Sequence, residues 1–591
     1  MKAASQTLSP GRLAAPFRLK LARARAQRLA ARLWERDPAL WKSDPAHQAV
    51  IANRLGWLDA PVAMLENLDE IKRFVRGVRH DLMNTVVLLG MGGSSLAPEV
   101  FSQFFHPNLF GQLEEDALEL HVLDSTDPES ILKLRRVLSL PRVLFLVSSK
   151  SGGTIETRTQ CDYFWQECEA ALGEEAGRHF AAITDAGSEL EKLARERSFR
   201  HVFLNPPDIG GRYSALSLFG LVPAALLGIP LSPLLEDADA MLKACRHTDL
   251  AKNPALAMAV LLAVAAKHDM DKLTFLPSPA LAPFVPWIEQ LIAESTGKEG
   301  MGIIPVEGEA VGTMPEYGPD RVFVRMALAS DDADDGAGLF EQARLRHEPC
   351  IEITLPTRID LGGEFVRWEM CTAWLGALLS VNPFDEPNVK ESKDATARIL
   401  ASFQHYVGEA EDDRRAQGEG FRLYAGEQTW AALEEENRLR EETSRDAVHV
   451  LAGFLALVRS RDYLALLAYL DRNQQVEARL ATLRALLRRR LGIPILRGYG
   501  PRFLHSIGQL YKGGPNSGLF IQITRDDAPD LGIPGRAYTF GQLKAAQALG
   551  DLEALSARGR RALRLHLEHE PMTTLDRLPV FFEEALELLG L

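Results

Sequence analysis

Four small hydroxyls and one lysine crowd into SSKSGGT, residues 148 to 154, directly after the apolar run Val143 to Val147. Ser148, Ser149, Ser151 and Thr154 supply the hydroxyls, and Gly152 and Gly153 let the backbone turn closely. From Glu156 the pattern becomes helical, so a helix N-terminus would aim unpaired N–H groups at this loop. With the charge of Lys150 added, these parts suit a phosphate monoester. Taken alone, the segment also reads as an ordinary strand-to-helix turn with a capping serine.

A candidate for proton transfer lies in FVPWIEQLIAESTGKEG, where Gln290 and Glu294 are four apart and share one helix face. Ile288, Leu291 and Ile292 make the segment apolar, and burial would raise a carboxyl there toward the range of a general base. Two exposed polar residues are the plainer alternative. Arg212, in IGGRYSALS, has the charge to stabilise an anionic intermediate, but a surface arginine at a turn has the same local sequence. His505 and Lys512 in FLHSIGQLYKGGP, and Lys393 in NPFDEPNVKESK, complete the set of groups able to move protons or hold anions. Each of these three, alone, is more often a solvated or structural residue.

The elements that must position these groups alternate strand, tight turn and helix. Candidate strands fall at 86–89, 118–124, 143–147, 179–185 and 200–206, separated by helix-length segments, which predicts a parallel doubly wound sheet. The turn GMGGSS after the first of them resembles a dinucleotide fingerprint only weakly. Gly90, Gly92 and Gly93 lack the G-x-G-x-x-G spacing, and Asp124 is too far along to bind a ribose. A polar turn bringing Ser94 toward a small ligand is the better reading. Further strands at 272–277, 321–328, 350–356 and 518–524 predict a second α/β lobe. The expected organisation is an N-terminal helical segment over 1–60, a first lobe over 61–245 and a second over 246–591. The second lobe carries a solvated helical insertion at about 400–490, and 540–591 reads as helical without site residues.

With 591 residues, 46% of them hydrophobic, the chain has ample core for two lobes. A net charge of -13 gives no nucleic-acid footprint, so an acidic ligand needs a local positive pocket. Cys161, Cys168, Cys245, Cys350 and Cys371 are odd in number and scattered, which predicts reduced thiols, a cytoplasmic location, and neither disulfide nor structural metal. Arg12 to Arg32 form an acid-free basic stretch, a pattern shared by transit peptides and by amphipathic surface helices. The most apolar stretch, 216–235, is broken by Pro223, Gly228, Pro230 and Pro233, so it reads as buried helix and not as a membrane span.

Together, GMGGSSLAP (90–98), SSKSGGTIET (148–157), GGRYS (210–214), EQLIAESTGK (289–298), FDEPNVKESK (384–393) and HSIGQLYKGG (505–514) resemble the glucose-6-phosphate isomerase (phosphoglucose isomerase) family. The chain is most similar to the isomerase half of bifunctional transaldolase/glucose-6-phosphate isomerases. The resemblance implies an α/β fold of two sugar-isomerase-type lobes, each a parallel sheet flanked by helices, with additional helical segments. It implies aldose–ketose isomerisation of glucose 6-phosphate and fructose 6-phosphate through a cis-enediol. Ser149, Lys150, Ser151 and Thr154 would bind the phosphate, with Gly93 and Ser94 at the sugar end. Glu294 would be the base with Gln290 beside it, Arg212 would stabilise the intermediate, and His505 and Lys393 would assist ring opening. No cofactor or metal is implied, and the assembly would be a homodimer with site residues contributed across the interface.

This chain departs from the family pattern in two places. Lys393 precedes His505, reversing the family's order, and Glu386 stands where the family usually has a glutamine near the phosphate. A carboxylate there would repel phosphate unless turned away or paired, so Glu386 is left outside the expected site. The roughly 60 residues before the first lobe are too few for the (β/α)8 barrel of a transaldolase. Two rival functions are an isomerase of another sugar phosphate, such as mannose 6-phosphate, and a sugar-phosphate-sensing binding module.

Overall fold

A computed structural model describes residues 4–105, 117–249, 252–331, 335–401, 415–439, 446–568 and 570–591. The chain opens with a strand, β1 (Ser5–Ser9), before its first helices. The helical reading of 1–60 missed it because SQTLS is short, polar and half exposed, and its partner is distant in sequence.

The first sheet is fully parallel, with β2 (Thr85–Gly90), β3 (Glu119–Leu123), β4 (Val143–Ser148), β5 (Phe180–Asp185) and β6 (His201–Asn205) in the order β3-β2-β4-β5-β6. β4 is buried on both faces, as its unbroken apolar run requires: Leu144 and Leu146 join one core, Val143, Phe145 and Val147 another. The strand order reverses between β2 and β4, and Gly90 pairs with Ser148. The two glycine turns of the sequence therefore leave neighbouring strands at the switch point, where open α/β sheets form their ligand crevice.

The region past 246 holds two sheets. In the first, β7 (Lys272–Pro277), β8 (Ile304–Val306), β9 (Arg321–Leu328) and β10 (Cys350–Leu355) run parallel, and β1 adds antiparallel to the edge of β10. The other comprises β11 (Arg415–Gly418), β12 (Phe421–Ala425), β13 (Tyr463–Ala468), β14 (Ile495–Tyr499), β15 (Gly518–Arg525) and β16 (Arg561–Leu567), in the order β11-β12-β16-β15-β13-β14. The mixed α/β architecture of helix-flanked parallel sheets is thus as expected, while the strand expected at 518–524 belongs to this further sheet.

The segment 400–490 is not a solvated helical excursion. Its parts 402–414 and 440–445 lie outside the described residues, but the rest supplies β11, β12 and β13. β13, YLALLA, is buried throughout and lies between β14 and β15. Leu and Ala favour helices in isolation, and here two-sided burial overrides that propensity. Leu464, Leu466 and Ala468 face a core lined by Leu480, Leu487 and Phe582. Tyr463, Ala465 and Leu467 face Ala293, Phe503 and Ile507, so this strand supports both the helix of Glu294 and the segment of His505. A third contact closes the arrangement: Phe540 and Leu543 pack with Val87 and Phe145 of the first sheet. All five cysteines are free and buried, and no helix among the described residues is long and apolar enough to cross a membrane.

Replacing Leu466 by Ala tests β13 as a core strand. Removing a fully buried leucine side chain costs about 2–5 kcal/mol, read as a lowered denaturant midpoint; a solvated helix at this position would show almost no change.

Candidate functional site

At the C-terminal end of β4 the loop folds on its own hydroxyls. Ser149 Oγ accepts from the Gly152 amide at 3.2 Å and lies 3.2 Å from Thr154 Oγ1, while Ser151 Oγ accepts from the Gly153 amide at 3.3 Å. Gly152 has φ +73°, and a Cβ there would meet the Leu190 amide nitrogen at 2.4 Å, so only glycine fits this turn. Thr154 is the N-cap of the helix Ile155–Leu172, but its side chain makes no cap bond, leaving the first helical amides directed at the loop. Lys150 behaves differently from the sequence expectation. Its ammonium donates to Asp185 Oδ2 at 2.6 Å and to the Pro207 carbonyl at 2.8 Å.

The same helix carries a residue that sequence reasoning passed over. Glu156, in its first turn, is buried, and its Oε1 receives His505 Nε2 at 2.8 Å and Gln547 Nε2 at 2.7 Å. Burial alone would raise this carboxyl, but the charges of His505 and Lys393 and the His505 hydrogen bond outweigh it and hold Glu156 below its ordinary value. An ionised Glu156 requires the proton of a neutral His505 ring on Nε2, leaving Nδ1 as the free acceptor. Glu156 was within the quoted motif, where a carboxylate in a first helical turn looks like a helix-start signal. Gln547 lies in the stretch read as lacking site residues, and only the fold brings it here.

A cavity of about 180 Å³ joins Gly153 and Ile155 at the loop to Glu156, His505, Lys393 and Lys512. The exchanged order of the Lys393 and His505 motifs therefore does not separate them.

Glu294 occupies the last turn of the helix Val285–Thr296, four residues after Gln290 as the spacing predicted. Gln290 Nε2 donates to the His505 carbonyl at 2.8 Å and to Glu294 Oε2 at 3.2 Å, which ties the two expected proton-transfer groups together. Both Gln290 and Glu294 are buried. Burial raises the Glu294 carboxyl, opposed by Arg212 and reinforced by Glu386, and the net direction is upward. Arg212 is boxed in: Nε donates to Ser295 Oγ at 2.8 Å, and Nη2 to the carbonyls of Pro383 at 2.7 Å and Asp385 at 2.8 Å. Its Nη1 lies 3.6 Å from Glu294 and 3.2 Å from Glu386. Glu386, left out on sequence grounds, is thus paired with the site's arginine.

Gly93 and Ser94 sit in the turn after β2. A Cβ on Gly93 would stand 2.0 Å from the Gly211 carbonyl oxygen, and one on Gly92 would stand 2.5 Å from the His505 carbonyl. These glycines let the β2 turn pack directly on the backbone beside Arg212 and His505.

The phosphoglucose isomerase family model matches residues 63–307. That span holds Gly93, Ser94, the loop 149–154, Arg212, Gln290 and Glu294, and ends before Lys393 and His505. Glucose-6-phosphate isomerase of a Cyanothece species is 32% identical over 400 residues, covering 58% of this chain and 74% of that protein. The enzyme of the same name from Symbiobacterium thermophilum is 30% identical over 404 residues, 61% of this chain and 90% of its own. Among solved structures, a hypothetical protein from Thermus thermophilus superposes with a TM-score of 0.57 at 26% identity, covering 67% of this chain and all of that one.

The close approach at Gly93 gives a test of the packing. Gly93→Ala forces the backbone beside Arg212 to move and lowers the thermal midpoint, at a cost of about 1–3 kcal/mol. Gly211→Ala, whose added Cβ meets nothing within 4 Å, is the control and leaves the midpoint close to wild type.

Proposed function

The chain belongs to the phosphoglucose isomerase family, and from that premise we propose that it interconverts glucose 6-phosphate and fructose 6-phosphate through a cis-enediol intermediate. The observation that carries this reading is the buried Glu294, raised toward a general base, beside Arg212 and tied through Gln290 to the backbone of His505. The loop 149–154 anchors the phosphate by its hydroxyls and by the amides at the start of the following helix. It places the reactive end of the sugar toward Glu294.

In the cyclic substrate, His505 exchanges a proton with the ring oxygen and the anomeric hydroxyl. Glu156 fixes its tautomer and stabilises the imidazolium as it forms, and Lys393 lies at the same cavity. Once the chain form is free, Glu294 removes the proton from carbon 2, electron density moves onto the carbonyl oxygen at carbon 1 and the cis-enediolate forms; the hydroxyl proton of oxygen 2 passes to oxygen 1 through the cis-enediol, and as Glu294 returns its proton to carbon 1 the carbonyl is left at carbon 2. Arg212, already fixed by Ser295 and two backbone carbonyls, stabilises the developing oxyanion without reorganising.

Glu294→Gln keeps the shape and the Gln290 contact but removes the base. In a coupled assay of fructose 6-phosphate conversion, turnover falls by about 10²- to 10⁴-fold while KM stays close to wild type; near-normal turnover would refute the assignment. The ionised form of Glu294 is the active one and its pKa is raised. The acid limb of kcat/KM therefore falls as pH drops through a value above the ordinary glutamate pKa of about 4.3.

A further inference from the structure

Arg212 has one nitrogen left for carboxylates, and two carboxylates reach it. Nε and Nη2 are spent on Ser295, Pro383 and Asp385, so Glu386 at 3.2 Å and Glu294 at 3.6 Å both address Nη1. The nearer partner is Glu386, the one the reaction does not use. The three differ sharply in exposure, the side chains of Arg212, Glu294 and Glu386 being 4%, 10% and 49% accessible.

Resting on the isomerase reading above, we propose that Glu386 is a positioning residue that acts through Arg212: by taking the near side of the guanidinium, it keeps Glu294 from being locked in a private ion pair. A buried carboxylate with an arginine as sole partner is held ionised, and it then abstracts a carbon-bound proton poorly, because its basicity falls with its pKa. Sharing the guanidinium removes that penalty, and the negative charge of Glu386 adds to the effect of burial on Glu294.

The remaining charges around the pair are already matched. Lys298 reaches Asp385 Oδ1 and the Asn382 carbonyl, both at 2.6 Å, and Asp385 also faces His47 at 3.6 Å. His505 is held by Glu156 at 2.8 Å. Glu386 is therefore the charge that decides how much of Arg212 is left for Glu294. Because it is half exposed, it can yield Nη1 to an oxyanion at low cost, which a buried partner could not do.

The test is Glu386→Gln, which keeps size and hydrogen bonding but removes the charge. Carboxyl titration of ¹³C-glutamate-labelled protein, with Glu294 assigned by its absence in Glu294→Gln, follows the base directly and needs no turnover. The Glu294 midpoint moves to lower pH in Glu386→Gln, by about one unit, with thermal stability near wild type. In the assay the acid limb of kcat/KM moves the same way, and kcat at neutral pH drops severalfold with little change in KM. An unmoved Glu294 midpoint overturns the proposal, whatever happens to kcat. A shifted midpoint in a chain that does not isomerise fructose 6-phosphate would leave this proposal standing and refute the isomerase reading.

Discussion

Arg212 and the two carboxylates on its Nη1 are the constraint around which the molecule is built. Removing a guanidinium and a carboxylate from water costs several kcal/mol per ion, and their attraction offsets this only when the remaining donors are satisfied in good geometry. Here the satisfaction comes from two segments, the end of one helix and the loop 383–386. Ser295 lies on the helix of Glu294, Pro383 and Asp385 follow the long buried helix Leu361–Leu379, and Glu386 stands at the solvent edge. None of the acceptors on Nε and Nη2 can shift alone without leaving a buried donor unmatched. The glycine turn after β2 is held to the same standard, since its backbone touches that of Gly211 with no room for a methyl group.

The site is the place where three sheets meet, and each contributes a different kind of chemistry. The first supplies a switch-point crevice lined by hydroxyls and a helix end. The second supplies the helix of Glu294, whose C-terminal turn is buried. The third supplies His505, Lys512 and Gln547, and it is fixed against the other two through Phe503, Ile507 and Tyr469 on one side and Phe540 and Leu543 on the other. Its strand β13 is buried along its whole length and packs against both the helix of Glu294 and the segment of His505, so a stretch far from any motif sets the spacing between them.

What the sequence disclosed follows from how local each signal is. The turns after β2 and β4 were readable because glycines, hydroxyls and an apolar run lie within a dozen residues, and the pairing of Gly90 with Ser148 is what that pattern implies in a parallel sheet. Gln290 and Glu294 were readable because helical periodicity alone puts them on one face. β13 was not, since YLALLA has the composition of a helix, and only burial on both faces makes it a strand. The antiparallel β1 and the pairing of β12 with β16 were hidden for a related reason, because their partners are distant in sequence, Ser5 pairing with Thr354 and Phe421 with Leu567. Glu156 sat within a quoted motif, yet nothing nearby says that a histidine 349 positions later will donate to it. Lys150 and Glu386 show the opposite limit. The charge was visible, but its partner, Asp185 in one case and Arg212 in the other, determines what that charge can do.

The separation between contacting residues has a consequence for how the protein comes into being. Gln290 reaches His505 across 215 positions, and Glu156 reaches both His505 and Gln547 across 349 and 391. A ribosome adds residues in order, so the loop 149–154, Arg212 and Glu294 all emerge long before His505 and Gln547. The unfinished chain carries the first crevice but not the side chains that complete the cavity. Under the proposed function, the pocket is whole only once the third sheet has folded back on the first two.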